Sequence, residues 1–357
     1  MNRKHNFGAG PGILPVEVLK IASEAVLEFN NLGMSLLEVS HRGKDFIAVM
    51  DEARQLVREL FNLNNDYEVM FLQGGASLQF LMVPYNLLST NGTAAYINTG
   101  TWASKALKEA KLIGKVNEIA SSKDKNFSYI PKNENFTGDA DYLHITSNNT
   151  IFGTQYKKFP ATNVPLVADM SSDIFSRQID AKKFSLIYAG AQKNMGPAGT
   201  TLVVVKKDLL GKTGRTIPSM LDYKIHIENE SMFNTPPVFA VYVSMLTLRW
   251  IRDKGGLAAM EKRNREKAGI IYKELDENPI FYGTAEKEDR SDMNVTFLLK
   301  DSSLDEEFLN ITKGEGISGI KGHRSVGGFR ASIYNAMPIE SVKTLVEVMQ
   351  EFAMKHA

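Results

Sequence analysis

The spacing of apolar residues along the chain predicts its helices. Residues 15–29 (PVEVLKIASEAVLEF) and 45–61 (DFIAVMDEARQLVRELF) carry apolar side chains at intervals of three and four, the period of an amphipathic helix. Residues 236–254 begin with two prolines and end before a Gly-Gly pair, which predicts a long helix. A further helix is expected from Leu257, and a closing helix over 338–355.

Short β-prone runs alternate with helical or loop stretches in the first part of the chain. They are YEVMFLQ (67–73), TAAYIN (93–98), YLHITS (142–147), VPLVADM (164–170), FSLIYAG (184–190) and GTTLVVV (199–205). Strands joined by crossovers of this length predict an α/β fold with a mostly parallel sheet flanked by helices. Later strands are expected at MNVTFLL (293–299), GISGIKG (316–322) and FRASIYN (329–335).

This order of elements predicts two domains. A large α/β domain should span residues 16–256, and a smaller α+β domain residues 257–357. The N-terminal segment 1–15 is assigned to the smaller domain. A chain of 357 residues is long enough for both cores.

Composition and charge exclude several classes of protein. The chain has 42 Lys and Arg against 41 Asp and Glu, so we expect no broad basic surface for nucleic acid or anionic lipid. It has no cysteine, which excludes disulfides, thiolate metal sites and a cysteine nucleophile. The start of the chain lacks the apolar core of a signal peptide, and no apolar stretch has the length of a membrane span, so a cytoplasmic protein is the default prediction.

Familiar nucleotide, metal and hydrolase motifs are incomplete or absent in this sequence. GAGPG at 8–12 is not a dinucleotide-binding fingerprint, and GKT at 211–213 lacks the P-loop glycine because Lys206 stands in its place. The six histidines show no metal-ligand spacing, and no G-x-S-x-G motif occurs. We therefore predict neither a metal site nor a hydrolase nucleophile.

Two candidate residues follow neighbouring strands of the predicted sheet. Asp169 ends an apolar run, and Lys193 follows the next run in a setting of small residues, AGAQKNMGPAG. Ligands of open α/β sheets bind at the carboxyl ends of strands, where these two side chains should meet. A pyridine ring between them would explain the pair, since the acid keeps the ring nitrogen protonated and the lysine forms a Schiff base with an aldehyde. A helix cap and a surface turn are the alternatives.

Other candidates follow strands in the same way. Ala76 and Ser77 lie where a strand enters a helix, so their backbone N–H groups could bind a phosphate, although a plain tight turn has the same pattern. Trp102 could stack on a ring or pack in the core. Thr150 could donate its hydroxyl to a ring oxygen or serve only as a turn residue.

Anion-binding candidates come from a dipeptide that occurs twice. His41-Arg42 and His323-Arg324 share the His-Arg pair, and Arg330 follows six residues after the second arginine. Arginine forks suit carboxylates and phosphates, and the nearby glycines permit close approach of a ligand. Unpaired surface arginines are the alternative.

The chain resembles the phosphoserine aminotransferases, which are class V, fold type I pyridoxal-phosphate transaminases. The resemblance rests on GGASLQF, NTGTWA, VADMSSD, AGAQKNMGPAG, FNTPP and GHRSVGGFRASIYNAMP, in this order along the chain, and covers nearly the whole chain. It implies that Lys193 holds pyridoxal phosphate and that Asp169 pairs with the pyridinium nitrogen. Trp102 would stack on the ring and Thr150 would contact its phenolic oxygen.

The resemblance also assigns the cofactor phosphate and the substrate groups. The phosphate would be bound by Ala76, Ser77, Ser171 and Gln192, and by Asn234 and Thr235 from a second subunit, which implies a homodimer. Arg330 would bind the substrate α-carboxylate, and His41, Arg42, His323 and Arg324 its phosphate or side-chain carboxylate, some of them across the dimer. Some members of the family have Gly-Arg where this chain has Ala76-Ser77.

The implied reaction is a ping-pong transamination. L-Glutamate gives its amino group to 3-phosphonooxypyruvate, which yields 2-oxoglutarate and O-phospho-L-serine in serine biosynthesis, and a pyridoxine-pathway substrate is a further option. An alanine–glyoxylate type transaminase is the nearer rival, although it would not need a second His-Arg pair. A non-catalytic protein that binds phosphate or carboxylate is the alternative from another class.

Overall fold

The helices follow the apolar periodicity of the sequence. In the computed structural model, which describes residues 3–132 and 135–356, they are α1 (Val16–Leu27), α2 (Lys44–Leu60), α3 (Gly75–Leu87), α4 (Thr101–Ile113), α5 (Tyr223–Glu228), α6 (Val238–Asp253), α7 (Gly256–Glu277), α8 (Asp305–Gly314) and α9 (Ile339–His356). The helices predicted from apolar spacing thus form, with ends shifted by a few residues.

Seven of the described strands form one large sheet. In chain order the strands are β1 (His5–Asn6), β2 (Tyr67–Leu72), β3 (Thr93–Asn98), β4 (Lys115–Ser121), β5 (Asn135–Phe136), β6 (Tyr142–Thr146), β7 (Asn148–Asn149), β8 (Thr154–Gln155), β9 (Ala161–Thr162), β10 (Leu166–Asp169), β11 (Leu186–Gly190), β12 (Thr201–Lys206), β13 (Phe281–Gly283), β14 (Asn294–Leu299), β15 (Ile317–Ser318) and β16 (Phe329–Ser332). The large sheet has the order β2-β12-β11-β10-β6-β3-β4.

Only β12 runs against the common direction in this sheet. It pairs antiparallel with both β11 and β2, whereas the other neighbours pair parallel. The predicted mostly parallel sheet is therefore confirmed. The carboxyl ends of β2, β3, β6, β10 and β11 all lie at one edge, so the residues that follow these strands face the same region.

Helices cover both faces of the sheet. Strand side chains alternate between the two layers: Phe71 packs in the core with α1, α2 and α6, while Met70 and Leu72 pack in the core with α3, α4 and α5. Each layer buries apolar side chains from the sheet and from its helices. This double covering explains why the central strands are apolar on both faces.

A separate apolar core lies in the C-terminal part. Phe281 packs there against Phe297 and Phe308, between the sheet β13-β14-β16 and helices α7, α8 and α9. Helix α7 serves both cores, since Leu257 packs in the first and Ile271 in the second. The domain boundary at residue 256 therefore stays a prediction.

The N-terminal segment is attached to this second core. Strand β1 pairs parallel with β15, and Phe7 is buried among the apolar side chains of the C-terminal part. The strand predicted over 316–322 is shorter than expected: Ile317–Ser318 form a strand, and Lys321 makes an isolated β-bridge with Phe329. Gly319 turns the chain at φ +77° and lies so close to Gly8 that a Cβ would come within 2.6 Å of its nitrogen.

Among the described residues no helix is both long and apolar enough to cross a bilayer.

Candidate active site

Asp169 and Lys193 meet at the carboxyl edge of the large sheet. Asp169 is the last residue of β10 and is 4% exposed, and Lys193 lies three residues beyond the end of the neighbouring strand β11. Lys193 Nζ donates a hydrogen bond of 2.8 Å to Thr150 Oγ1. In the part of the chain that the structure describes, no salt bridge within 4.0 Å joins the amine to the carboxylate.

Burial shifts the pKa values of both groups toward their neutral forms. It lowers the pKa of Lys193 to about 8, helped by the charge of Arg330 and opposed by that of Asp169. It raises the pKa of Asp169, although hydrogen bonds from Ser171 and the charge of Lys193 oppose the rise. The neutral amine of Lys193 is therefore far more populated at neutral pH than that of an ordinary lysine.

Ser171 orients the carboxylate of Asp169. Its hydroxyl donates to Asp169 Oδ1 at 2.6 Å, and its backbone N–H donates to the same oxygen at 2.9 Å. The hydroxyl also accepts from the N–H of Gly190 at 3.1 Å. The family resemblance implies a contact of Ser171 with the cofactor phosphate, which stays a prediction. The bond to Asp169 was not predicted, although the Asp-x-Ser spacing of a local turn was its signal in the sequence.

Trp102 and Thr150 lie on the amine side of the site. The ring centroid of Trp102 is 5.8 Å from Lys193 Nζ. Its indole nitrogen is buried and has no hydrogen-bond partner among the described residues. Trp102 also packs against the apolar layer that contains α3 and α4, so its stacking role stays a prediction.

The start of α3 supplies free backbone donors at the same edge of the sheet. Gly74 and Gly75 adopt φ values of +85° and +65° and turn the chain from β2 into the helix. The first-turn N–H groups, including those of Ala76 and Ser77, have no carbonyl partner within the helix, so this end is suited to an anion. Gln192, next to Lys193, accepts a backbone hydrogen bond from Gly12 at 2.7 Å.

Asn234 and Thr235 lie before α6, near the start of α3. Gln73 Nε2 donates to the backbone oxygen of Thr235 at 2.6 Å, and Asn234 lines a small cavity of about 30 Å³ beside Gln73. No hydrogen bond recorded in the described part of the chain joins either residue to Lys193. Their assignment to a second subunit's site stays a prediction.

Arg330 reaches the site from strand β16 of the C-terminal part. Its Nη1 donates to the backbone oxygen of Thr150 at 3.2 Å, so Arg330 and Lys193 bind the same residue. Its Nε is buried and has no partner among the described residues. A buried guanidinium with unused donors is a site for a carboxylate.

His323 and Arg324 lie on the loop before β16. The N–H of Ser325 donates to His323 Nδ1 at 3.2 Å, so the neutral ring carries its proton on Nε2. Burial and then the charges of nearby cations, Arg330 first among them, lower the pKa of His323. Arg324 is exposed, and no ion pair is recorded for it in the described ranges.

His41 and Arg42 stand apart from this group. His41 Nε2 is buried without a partner in the described residues, and the side chain of Arg42 is exposed. No contact recorded for the described chain joins either residue to Lys193 or Arg330. One chain therefore brings together the residues around Lys193, but not this first His-Arg pair.

A glycine-rich segment that was not predicted as part of the site covers Lys193. The segment, Gly8–Gly12, is attached at two points: the Tyr334 hydroxyl donates to the backbone oxygen of Ala9 at 2.6 Å, and the N–H of Gly12 donates to Gln192. Gly10 adopts φ +150°, and a Cβ there would lie 3.5 Å from Lys193 Cγ. GAGPG is thus part of the site, although it is no nucleotide loop; the density of glycines was the available signal.

Comparisons with known proteins agree with this geometry. The family model described as aminotransferase class-V matches residues 5–345. Phosphoserine aminotransferase of Flavobacterium johnsoniae is 64% identical over 354 residues, which is 99% of each chain. The chain belongs to the phosphoserine aminotransferase family. It is accordingly a pyridoxal-phosphate-dependent transaminase, which confirms the predicted enzyme class and cofactor.

Solved structures of this family show the same fold. Phosphoserine aminotransferase from Bacillus circulans subsp. alkalophilus is 46% identical, covers 100% of both chains and superposes with a TM-score of 0.97. The pyridoxal-phosphate-bound phosphoserine aminotransferase from Trichomonas vaginalis is 39% identical, with a TM-score of 0.92 over 98% of this chain and 100% of that one. The predicted fold class is confirmed.

The residues of this phosphoserine aminotransferase family member fit the cofactor. A buried acid and a buried amine lie close enough to shift each other's pKa, yet no salt bridge within 4.0 Å joins them in the described chain. Burying such a pair costs free energy unless a ligand lies between the two groups and bonds to both. A pyridine ring with a basic nitrogen and an aldehyde is a ligand of that kind.

Proposed function

We propose that this enzyme transfers the amino group of L-glutamate to 3-phosphonooxypyruvate, giving 2-oxoglutarate and O-phospho-L-serine. The observation that carries the proposal is Arg330, whose buried Nε has no partner in the described chain and which shares Thr150 with Lys193. Both amino-acid substrates carry an α-carboxylate next to the reacting carbon. A guanidinium beside the reactive amine is placed to bind it.

The second anionic group of each substrate needs donors of its own. His323 and Arg324 precede Arg330 on the same loop, and the neutral ring of His323 offers its Nε2–H. We assign this loop to the phosphate of phosphoserine and to the side-chain carboxylate of glutamate. His41 and Arg42 of the partner subunit would complete the set, since one chain alone does not bring them to Lys193.

Each residue has a distinct role in the transfer. When bound, pyridoxal phosphate supplies an aldehyde that captures the amino group and a ring that accepts electrons from the substrate. Asp169, oriented by Ser171, holds a proton at the ring nitrogen by its negative charge. Lys193, released as a neutral amine, takes the proton from the substrate Cα. Trp102 and Thr150 orient the ring, and the N–H groups of the α3 start bind the phosphate of the cofactor.

A homodimer with shared sites is part of the proposal. Exposed apolar side chains on α1 and the following loop support a second copy there; Leu27 is 83% and Leu37 60% exposed, close in sequence to His41-Arg42. A cytoplasmic location and use of 4-phosphohydroxy-L-threonine as a further substrate stay predictions.

Visible absorbance tests the substrate assignment. The purified enzyme with pyridoxal phosphate should show a yellow band that O-phospho-L-serine bleaches and L-alanine does not. Alanine should not bleach the band because its side chain has no anionic group for the His323-Arg324 loop to bind. Bleaching by alanine but not by phosphoserine would overturn the proposed substrate and favour an alanine-type transaminase.

Mixing two inactive variants tests the shared site. Lys193→Ala removes the reactive amine, and Arg42→Ala removes the cation assigned to the partner's site. A mixed dimer would contain one complete site, so activity should partly return after the two proteins are dissociated and reassembled together. Absence of any recovery in verified mixed dimers would place Arg42 in the site of its own chain or outside both sites.

A further inference from the structure

Lys105 is a cation beside the site that none of the roles above uses. It lies on α4, one turn after Trp102, and its Nζ is 4.6 Å from the centroid of the Trp102 ring. Lys193 Nζ is 5.8 Å from the centroid of the same ring. The indole thus holds the Lys105 ammonium by a cation–π contact on the wall of the site that α4 forms.

The Lys105 ammonium is near enough to His323 to act on its ring electrostatically. Lys105 contributes to the lowered pKa of His323, after burial and the charges of Arg330 and Arg324. It belongs to α4 of the large-sheet part, whereas both arginines follow His323 in sequence. No salt bridge is recorded for Lys105, Arg324 or Arg330 in the described ranges, so the three positive charges lack a carboxylate partner there.

We propose that Lys105 is a specificity-determining residue that binds the phosphate dianion of the substrate from the α4 side, opposite the His323-Arg324 loop. The inference rests on the proposed function, since it names a further residue for that substrate. Three cations without a carboxylate partner around one histidine repel one another, and an anion placed among them removes this repulsion.

The two amino-acid substrates differ in the charge of their second anionic group, so an added cation can discriminate between them. A phosphate monoester carries close to two negative charges at neutral pH, whereas the side chain of glutamate carries one. An added point charge attracts the dianion about twice as strongly as the monoanion. A lysine on a flexible stem suits this task, because it can follow either group without imposing the fixed geometry of a guanidinium.

Lys105→Met tests the proposal, with Lys108→Met as the matched control. Lys108 is also exposed and lies one turn further along α4. In the holoenzyme, Lys105→Met should raise the KM for O-phospho-L-serine by about 2- to 5-fold, with a smaller rise for L-glutamate. It should also weaken binding of inorganic phosphate and raise the pKa of His323, followed by NMR of the histidine rings with His323→Gln for assignment. Lys108→Met should change none of these.

The outcomes separate this inference from the proposed function. Unchanged KM, phosphate affinity and His323 pKa in Lys105→Met would overturn the role of Lys105. Equal losses for both substrates, with an altered cofactor spectrum, would also overturn it and show a structural role through Trp102. If the wild type does not turn over phosphoserine, the proposed function fails, and the phosphate titration of His323 still decides whether Lys105 binds the anion.

Discussion

Two buried lysines of this protein differ in how their amines are bonded. Lys193 donates one hydrogen bond, to the hydroxyl of Thr150, at the edge of the large sheet. Lys267, on α7, is 0% exposed and donates to the backbone oxygens of Ile333 at 2.9 Å and Tyr334 at 2.6 Å. A neutral amine has two N–H groups, so Lys267 uses both, while Lys193 keeps capacity for another partner.

The pKa values of the two lysines shift in the same direction. Burial lowers the pKa of Lys193 to about 8 and that of Lys267 well below its ordinary value, with the charge of Arg263 acting in the same sense on Lys267. A lowered pKa therefore does not by itself identify the reactive lysine. The distinguishing features are the unused bonding capacity of Lys193 and the acid, indole and arginine around it.

Replacing Lys193 should have the largest effect on activity. Lys193→Ala should reduce transamination by at least about 10³-fold, because it removes both the covalent attachment of the cofactor and the amine that moves the proton. Steady-state turnover and the visible band of the cofactor would measure this, with circular dichroism to confirm the fold. Substantial remaining activity would show that another base acts. Lys193 would then not be the reactive lysine that distinguishes this site from Lys267.

Replacing Asp169 tests the other half of the pair. Asp169→Asn keeps an oxygen for the bonds from Ser171 but removes the charge, so turnover should fall by about 10²–10³-fold while the cofactor still binds. Ser171→Ala keeps the charge and loses only its orientation, so a fall of roughly tenfold is expected. Single-turnover kinetics would measure both variants. A larger loss in Ser171→Ala than in Asp169→Asn would contradict the proposed roles.

The elements that sequence alone predicted best are those with a strong local pattern. The helices at 45–61 and 236–254 and the six strands of the first half form as expected, since apolar period and turn residues act within a few residues of one another. The pairing of Asp169 with Lys193 also followed from strand order. The resemblance of the motifs identified the cofactor as pyridoxal phosphate, which the spacing of apolar residues cannot indicate.

Contacts between distant segments escaped the sequence analysis. The cover of Lys193 by Gly8–Gly12 depends on Tyr334, more than three hundred residues further along the chain. The strand predicted over 316–322 stops early because Gly319 must pass close to Gly8. Such close approaches are set by tertiary packing, and a glycine in the sequence shows only that they are permitted.

Replacing Lys267 should affect stability. Lys267→Met leaves the buried carbonyl oxygen of Ile333 without a donor and removes one of two donors to that of Tyr334, which still accepts from the N–H of Met337. The free energy of unfolding should therefore fall by about 1–3 kcal/mol. Lys273→Met, an exposed position on the same helix, should stay within about 0.5 kcal/mol of the wild type. Chemical denaturation of the cofactor-free protein would measure both. An unchanged stability in Lys267→Met would mean that apolar burial replaces the two hydrogen bonds at no cost.

The smallest expected effect concerns pH and the capture of the cofactor by Lys193. Only the neutral amine attacks an aldehyde, and the pKa of Lys193 is lowered from 10.5 to about 8. The neutral fraction therefore rises about tenfold for each pH unit below 8 and levels off above it. The rate at which cofactor-free protein gains the visible band, with free pyridoxal phosphate in excess, should follow that curve. Lys267→Met should leave the midpoint in place. A rate that keeps rising beyond pH 9 would assign Lys193 the pKa of an ordinary lysine, and proton removal at neutral pH would then need the neighbouring charge of a bound ligand.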